Sequence, residues 1–289
     1  MSQREVLLVI HPHRPEAREF ATEIAQTLSG EGFIFHTNAD FPIKNVSNIQ
    51  GGEVRAVRDR CELAVVLGGD GTILRGAEIV HGSAVPLLGI NLGHVGFLAQ
   101  LRKIGVAEII AAIRDKKYAT EKRMTLAYNV LRGNSSVAQG WALNEVAVER
   151  NTEAMIELFV QIDGRPLSRW GCDGVICATP TGSTAYAFSA GGPVVWPDVE
   201  ALVLLPLAAH ALFSDPMVVS PDSEIAIDVE SEIGVLSADG LRKVQLREGD
   251  RVTLTSDKSY IHLAHIDNAP FTDRLVAKFK LPVDGWRGE

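Results

Sequence analysis

Along the first third of the chain, apolar residues fall in short continuous runs, separated by stretches whose apolar positions recur every three or four residues. Glu5–Ile10 (EVLLVI), Phe33–His36, Leu63–Leu67 (LAVVL) and Pro86–Ile90 (PLLGI) read as buried strands. Glu16–Leu28, with Ala17, Phe20, Ile24 and Leu28 at helical spacing, reads as a helix, as do Thr72–His81 and Gly105–Lys117. Gly30 and Gly32 stop the first helix, and Gly68-Gly69 ends the third strand. Strands that are apolar on both faces need cover on both. The pattern therefore predicts a doubly wound parallel sheet, an α/β domain over residues 1–121.

After Glu121 the pattern changes. Leu126–Arg132, Gln139–Val148, Ile156–Ile162, Gly174–Ala178, Ile225–Val229, Val235–Ala238, Lys243–Leu246 and Arg251–Ser256 are short β-branched segments. Turn pairs such as Asp163-Gly164, Asp239-Gly240 and Gly249-Asp250 punctuate them. Pro197–Leu205 is the only helical candidate. Residues 122–268 are thus predicted to form a β-rich, antiparallel, sandwich-like domain. Arg114–Arg123 reads as a solvated helix end and linker, and residues 269–289 as a tail that returns to the first domain.

Composition narrows the function classes. The 289 residues suit two domains, and 46% hydrophobic against 22% charged residues excludes general disorder. With 28 Lys+Arg against 36 Asp+Glu the net charge is −8, which argues against a duplex-DNA or membrane-surface partner. Any phosphate ligand must then be held by local devices. Cys61, Cys172 and Cys177 cannot all pair and lack zinc-site spacing, which points to a reduced, cytoplasmic setting. The opening MSQREVLLVI does not read as a signal peptide. Ala201–Phe213, the longest apolar stretch, is broken by Pro206 and His210 and falls short of the ~20 residues of a membrane span.

The sharpest local feature is Gly68-Gly69-Asp70-Gly71-Thr72, between an apolar strand and a helix. Glycines let backbone approach a ligand, and a helix N-terminus directs N–H groups at an anion. The plainer reading is a tight turn in which Asp70 caps the helix. No Gly-Lys-Ser/Thr follows, and the spacing is not G-x-G-x-x-G, so neither the Walker nor the Rossmann mechanism applies. His11-Pro12-His13 and His262…His265 suggest metal only superficially.

Gly68–Thr72 matches the GGDGT signature of NAD kinases, 6-phosphofructokinases and diacylglycerol and sphingosine kinases. Three further blocks, in order, resemble NAD kinases: Gly89–Leu98 (GINLGHVGFL), Asn144-Glu145, and Asp173-Gly174-Val175 through Thr179–Tyr186 to Ser189–Pro193. The resemblance runs from about Val6 to Pro221. It implies an α/β domain followed by a β-rich domain with the active site in the cleft between them. The implied reaction moves a phosphoryl group from ATP, or from inorganic polyphosphate, to the adenosine 2′-hydroxyl of NAD. Competing readings are a lipid kinase sharing GGDGT and a nucleotide-sensing module without turnover.

By that resemblance Asp70 is the general base. Gly68, Gly69, Gly71 and Thr72 form a phosphate cradle with Arg75 nearby. Asn144, Glu145, Asp173, Thr184, Ala185, Tyr186, Ala187, Phe188, Ser189 and Ala208 contact NAD. Without it, Asn144-Glu145 reads as a strand end and Thr179–Ser189 as a hydroxyl-capped loop entering a helix. Magnesium is expected on the donor phosphates, with no dedicated protein metal site. The resemblance also implies a homodimer or homotetramer. His210 matches a histidine kept by the family and reads as structural. Where the family commonly carries Gln or Asn after the Asp of the late β segment, this chain has Asp239-Gly240-Leu241-Arg242, leaving Arg242 as a candidate for an anionic ligand.

Overall fold

In the computed structural model, which describes residues 3–92, 96–99, 105–267 and 269–283, the chain divides into two units. The first comprises Met1–Lys122 and Ile261–Glu289, the second Arg123–Tyr260. In chain order the first stretch carries β1 (Arg4–Ile10), α1 (Pro15–Ser29), β2 (Phe33–Thr37), β3 (Val46–Asn48), α2 (Glu53–Arg58), β4 (Cys61–Leu67), α3 (Asp70–Val80), β5 (Leu87–Ile90), α4 (Val106–Asp115) and β6 (Ala119–Arg123). The second unit contains β7 (Leu126–Arg132), β8 (Ser135–Ala142), β9 (Glu145–Arg150), β10 (Ile156–Ile162), β11 (Arg165–Cys172) and β12 (Gly174–Ala178). After a 3₁₀ turn at Gly182–Thr184 come α5 (Tyr186–Ser189), β13 (Leu202–Leu207), β14 (Met217–Val219), β15 (Ile225–Val229), β16 (Ile233–Ala238), β17 (Arg242–Arg247) and β18 (Asp250–Ser256). The chain then returns to the first unit with β19 (Ile261–His265) and α6 (Phe271–Phe279).

The first unit is built on a seven-stranded sheet of order β3-β2-β1-β4-β5-β19-β6, and β1 to β5 and β19 pair in parallel. Residues alternate sides along each strand, so the continuous apolar runs serve two helical layers. On one face Val6, Leu8, Leu63 and Val65 pack with Ala21, Ile24 and Leu28 of α1 and Ile109 and Ile113 of α4. On the other, α3 comes so close that a Cβ at Gly76 would lie 2.7 Å from a Val66 methyl. From β1 the chain moves outward to β2 and β3, then crosses back to β4 and β5. The carboxyl ends of β1 and β4 are therefore the topological switch point, where open α/β sheets bind ligands.

The second unit packs two six-stranded sheets, β11-β10-β15-β18-β7-β8 and β14-β13-β12-β9-β16-β17, whose paired strands are antiparallel. Their inner faces share one core, in which Leu158, Trp170, Ile227 and Val252 meet Val146, Val175, Leu204 and Leu236. This is a β-sandwich.

Four readings of the sequence need correction. Pro197–Leu205 is not helical, since Leu202–Leu207 is a strand between β12 and β14. An apolar run fits a buried helix or a buried strand, and its neighbours decided. Pro206 is tolerated because β14 pairs only with Leu202–Leu204, so no ladder bond is asked of its nitrogen on that side. Gln139–Val148 is two strands, broken at Leu143-Asn144. Arg114–Arg123 is no linker: it ends α4 and then forms β6, with Arg123 buried. Finally, the β-rich unit ends at Tyr260 rather than at residue 268, because Leu263 and Ala264 pair with Leu87 and Leu88 of the α/β sheet.

Candidate functional site

The glycine turn follows β4 at the switch point. Its entry is anchored by the Gly68 N–H, which donates to the Ile90 carbonyl (3.0 Å). A Cβ on Gly68 would sit 2.7 Å from Thr72 Cβ, so glycine there lets Thr72 fold back under the turn. Gly69 is the N-cap of α3, which starts at Asp70. A Cβ at Gly69 or at Gly71 would meet nothing within 4 Å, so both α-carbons face open space. Among the described residues the N–H groups of Asp70 and Gly71 have no partner, as expected in a first helical turn, and they form a cradle for an anion. Thr72 is buried and its N–H donates to the Gly69 carbonyl (2.8 Å).

Asp70 does not cap its helix. Its Oδ2 accepts the Phe97 N–H (3.3 Å), while Oδ1 is buried with no hydrogen-bond partner among the described residues. A Cβ at Gly96 would lie 2.6 Å from Asp70 Cγ, so a second glycine makes room for the carboxyl group. Of the Gly89–Leu98 block, residues 93–95 lie outside the described residues.

Arg75, singled out in the sequence, is joined beside the turn by His11 and Arg14, which the sequence reading did not connect with phosphate. His11 continues β1, and its N–H donates to the Leu67 carbonyl (3.0 Å) at the end of β4. Burial and the neighbouring charges of Arg14, His13 and Arg75 hold the His11 pKa below its ordinary value. Arg75 is itself exposed. Pro15 at the start of α1 was the available signal, since it puts His11–Arg14 in the loop ahead of that helix.

In the β-sandwich unit, Asn144 and Glu145 form a corner between β8 and β9. Asp239 holds it, accepting the N–H groups of Leu143 (2.9 Å), Asn144 (2.7 Å) and Glu145 (3.4 Å). Arg242 pairs with Asp239 (2.9 Å) and lies over the Trp141 ring. That geometry gives Arg242 a partner at the corner. From the other side, Thr179 Oγ1 donates to the Leu143 carbonyl (2.6 Å) and the Thr179 N–H to the Asn144 carbonyl (2.8 Å). Gly182 packs so tightly on the Asn144 backbone that no side chain fits there. The two segments that resemble family motifs are thus one interlocked structure.

Glu145 is buried, and its Oε2 accepts the Tyr186 N–H (3.4 Å). Desolvation, reinforced by the Asp239 and Glu149 charges, pushes its pKa up to about 8. Burial raises Asp239 as well, but three N–H groups and Arg242 support its charge. Of this close pair, Glu145 carries the proton at neutral pH.

Beyond the corner opens a cavity of about 770 Å³, lined among others by Glu149, Arg150, Asp173, Tyr186, Ser189 and Ala208. Four residues singled out in the sequence therefore meet in one pocket. Tyr186 donates to Glu149 Oε1 (2.9 Å), and Arg150 pairs with Asp173 (2.6 Å). Burial and the Glu149 bond push the Tyr186 pKa up to about 12, so it stays a hydroxyl donor. Ala208 sits at φ +46°, a left-handed conformation costly for alanine and typical of ligand-shaping backbone. Glu149 and Arg150 were missed, because at the end of a strand they look like a solvated pair. Thr184 and Ala185 are half-buried in the turn, and Phe188 is exposed on α5. Ala187 departs from expectation: it is fully buried among Ile176, Ala178, Val203 and Leu205, so its methyl serves the core. His210 is exposed, and its N–H donates to the Gly171 carbonyl (3.0 Å).

A glycine turn open to an anion at the switch point of a parallel sheet, with a carboxylate inside it, is the arrangement of an enzyme that handles phosphate groups. Comparison with known proteins narrows this class. Residues 6–118 match the family model of the ATP-NAD kinase N-terminal domain, and residues 143–266 that of the ATP-NAD kinase C-terminal domain. The chain is 47% identical to NAD kinase 2 of Streptomyces avermitilis, over 99% of this chain and 97% of that protein. It is 42% identical to the NAD kinase of Mycobacterium bovis, over 100% and 99%. Among solved structures it is similar to yeast NADH kinase complexed with NADH (TM-score 0.88, 25% identity, covering 99% and 89% of the two chains). It is also similar to an NAD kinase from Archaeoglobus fulgidus in complex with ATP (TM-score 0.72, 27% identity, covering 96% and 99%). The chain belongs to the NAD kinase family, and it is a kinase.

Proposed function

We propose that this kinase transfers the terminal phosphoryl group of ATP to the 2′-hydroxyl of the adenosine ribose of NAD. The observation that carries this reading is the Asp70 carboxyl, with one oxygen held by Phe97 and the other buried and unpartnered beside an open anion cradle. A buried acceptor without a donor is costly and calls for an explanation. An incoming hydroxyl supplies one. As the hydroxyl oxygen attacks phosphorus, its O–H bond breaks, the proton passes to Asp70, and ADP leaves with the electrons of the broken P–O bond. Such general-base help is worth about 10²–10⁴ in rate, and positioning with charge stabilisation supplies the rest.

The donor phosphates rest on the Asp70 and Gly71 N–H groups, with Arg14 and Arg75 countering their charge and a largely neutral His11 beside them as a hydrogen-bonding group. NAD takes the sandwich pocket, where Tyr186 offers a ring face and hydroxyl and Asp173 and Glu149 accept hydrogen bonds; neutral Glu145, bonded to the Tyr186 N–H from the adjoining corner, would both donate and accept. Among the described residues no group of three or more His, Cys, Asp or Glu is placed to hold a metal ion. A magnesium ion would be carried on the donor phosphates, with the Asp70 carboxylate as the group of the turn beside it. Bound there, the ion would neutralise charge on the transferring phosphoryl group. Polyphosphate would fit the same cradle, which reads phosphate and no base. No helix among the described residues is long and apolar enough to cross a membrane. Exposed Leu212, Phe213 and Val218 on the sandwich unit are consistent with a homodimer or homotetramer.

Purified protein given magnesium, NAD and ATP should form NADP, with polyphosphate run in parallel. Failure with every donor would favour a nucleotide-sensing module. Asp70→Asn should lower kcat by about 10²–10⁴ while NAD still binds; equal loss of NAD binding would make Asp70 a ligand contact instead.

A further inference from the structure

The C-terminal helix α6 carries no family motif, yet it reaches the turn that holds Asp70. The link is the segment Gly96–Ala99. At one end, the Phe97 N–H donates to Asp70 Oδ2 (3.3 Å), and Gly96 leaves space for the carboxyl group. The Phe97 ring is buried, with Phe271 at 6.0 Å and Phe279 at 5.6 Å between centroids, one from each end of α6. At the other end, Arg274 Nη1 donates to the Ala99 carbonyl (2.7 Å). Arg274 is only 4% exposed, an uncommon setting for a guanidinium.

What holds Arg274 is also visible. Its Nη2 lies 3.0 Å from His265 Nδ1, and Asp267 is 3.6 Å away. A guanidinium can only donate, so His265 Nδ1 must be the acceptor and the ring proton sits on Nε2. That proton goes to Glu121 Oε1, at 2.6 Å. A relay from Glu121 through His265 thus orients Arg274, and Arg274 fixes the backbone two residues beyond the N–H that holds Asp70.

We propose that α6 is a positioning strap for the proton-accepting carboxylate, with Arg274, Phe271 and Phe279 as its positioning residues. The inference rests on the reading of Asp70 as the proton acceptor. The strap has an energetic reason. Among the described residues Asp70 has a single donor and a partnerless oxygen, so these contacts do little to hold it. Alignment must come from a segment clamped elsewhere. Misplacing a reacting group by about 1 Å costs up to about 10²-fold in rate.

Arg274→Ala in the full chain should lower kcat about tenfold to a hundredfold, leaving the KM values for ATP and NAD nearly unchanged. It should also speed hydrogen exchange of the Phe97 amide, with the β1 and β4 amides still protected. Arg274→Lys, which keeps one donor and loses the fork, should fall between. Phe279→Leu keeps apolar volume and serves as a second variant should Arg274→Ala not fold. The Asp70→Asn protein separates the two ideas. If it turns over normally, the reading of Asp70 is wrong, whereas Phe97 exchange still reports the strap. If Asp70→Asn is impaired, adding Arg274→Ala should cost little more. Normal kcat and unchanged Phe97 exchange in both Arg274→Ala and Phe279→Leu would overturn the proposal, as would equal losses in kcat and affinity.

Discussion

At the scale of single residues, the glycines matter for what their missing Cβ atoms allow. Gly96 and Gly182 are the clearest: one makes room for the Asp70 carboxyl, the other for the Asn144 backbone. Gly96→Ala should therefore push Asp70 off its place. We expect kcat to fall about tenfold or more in steady-state assays, with the fold retained by circular dichroism. Glu145 makes a second residue-scale prediction. Its pKa is about 8 in the folded chain against an ordinary 4.5. Between these values the unfolded chain ionises Glu145 while the folded chain keeps it protonated. Its contribution to stability is therefore fully present below about pH 4.5, is lost as pH rises to 8, and stays lost above. Glu145→Gln removes that titration. Relative to the parent, the variant should gain about 5 kcal/mol between pH 4.5 and 8 in urea unfolding. A constant difference across that range would place the proton elsewhere.

Elements were legible where a local pattern sufficed. Leu126–Arg132, Ile156–Ile162, Gly174–Ala178 and Ile225–Val229 are the strands the alternation and turn residues marked. The helices α1, α3 and α4 match their apolar spacing to within a few residues. Misreadings came where a distant partner decided. The break between β8 and β9 is imposed by Asp239, about 95 residues later, and β13 is a strand because β12 and β14 flank it. A similar long tie closes the turn between β17 and β18. There Asp250, fully buried, accepts two bonds from Arg132 (2.8 Å each) and the Arg247 N–H (2.9 Å). The Arg132 bonds hold its pKa below the ordinary 3.8. Its stabilising effect is present above that value and disappears as pH falls through the lowered one. Asp250→Asn should cost about 2 kcal/mol at pH 7 by thermal or urea unfolding, and the difference should shrink below about pH 4.

For the whole molecule, the two units differ in how the chain builds them. The sandwich is made from one continuous stretch, Arg123–Tyr260, with its own core. The α/β unit is made from two stretches, and β19 lies between β5 and β6 in its sheet. Residues 123–260 expressed alone should melt cooperatively. Residues 1–122 alone would leave β5 without its neighbour and should fold poorly unless residues 261–289 are supplied; a cooperative melt of 1–122 by itself would refute this.

By itself the sequence determined much of the α/β-then-β architecture, the glycine turn with its aspartate, and the family. Those properties rest on side-chain periodicity, turn chemistry and contiguous motifs, which act over a few residues. Only the tertiary structure decided which pieces meet. It brought Asp239 under the Asn144-Glu145 corner, gathered Glu149, Arg150, Asp173, Tyr186 and Ala208 around one pocket, and carried α6 back to Phe97. The reason is physical. A buried carboxylate, guanidinium or peptide group needs a partner, but chemistry specifies only the kind of partner, and the folded chain supplies it from any distance in sequence.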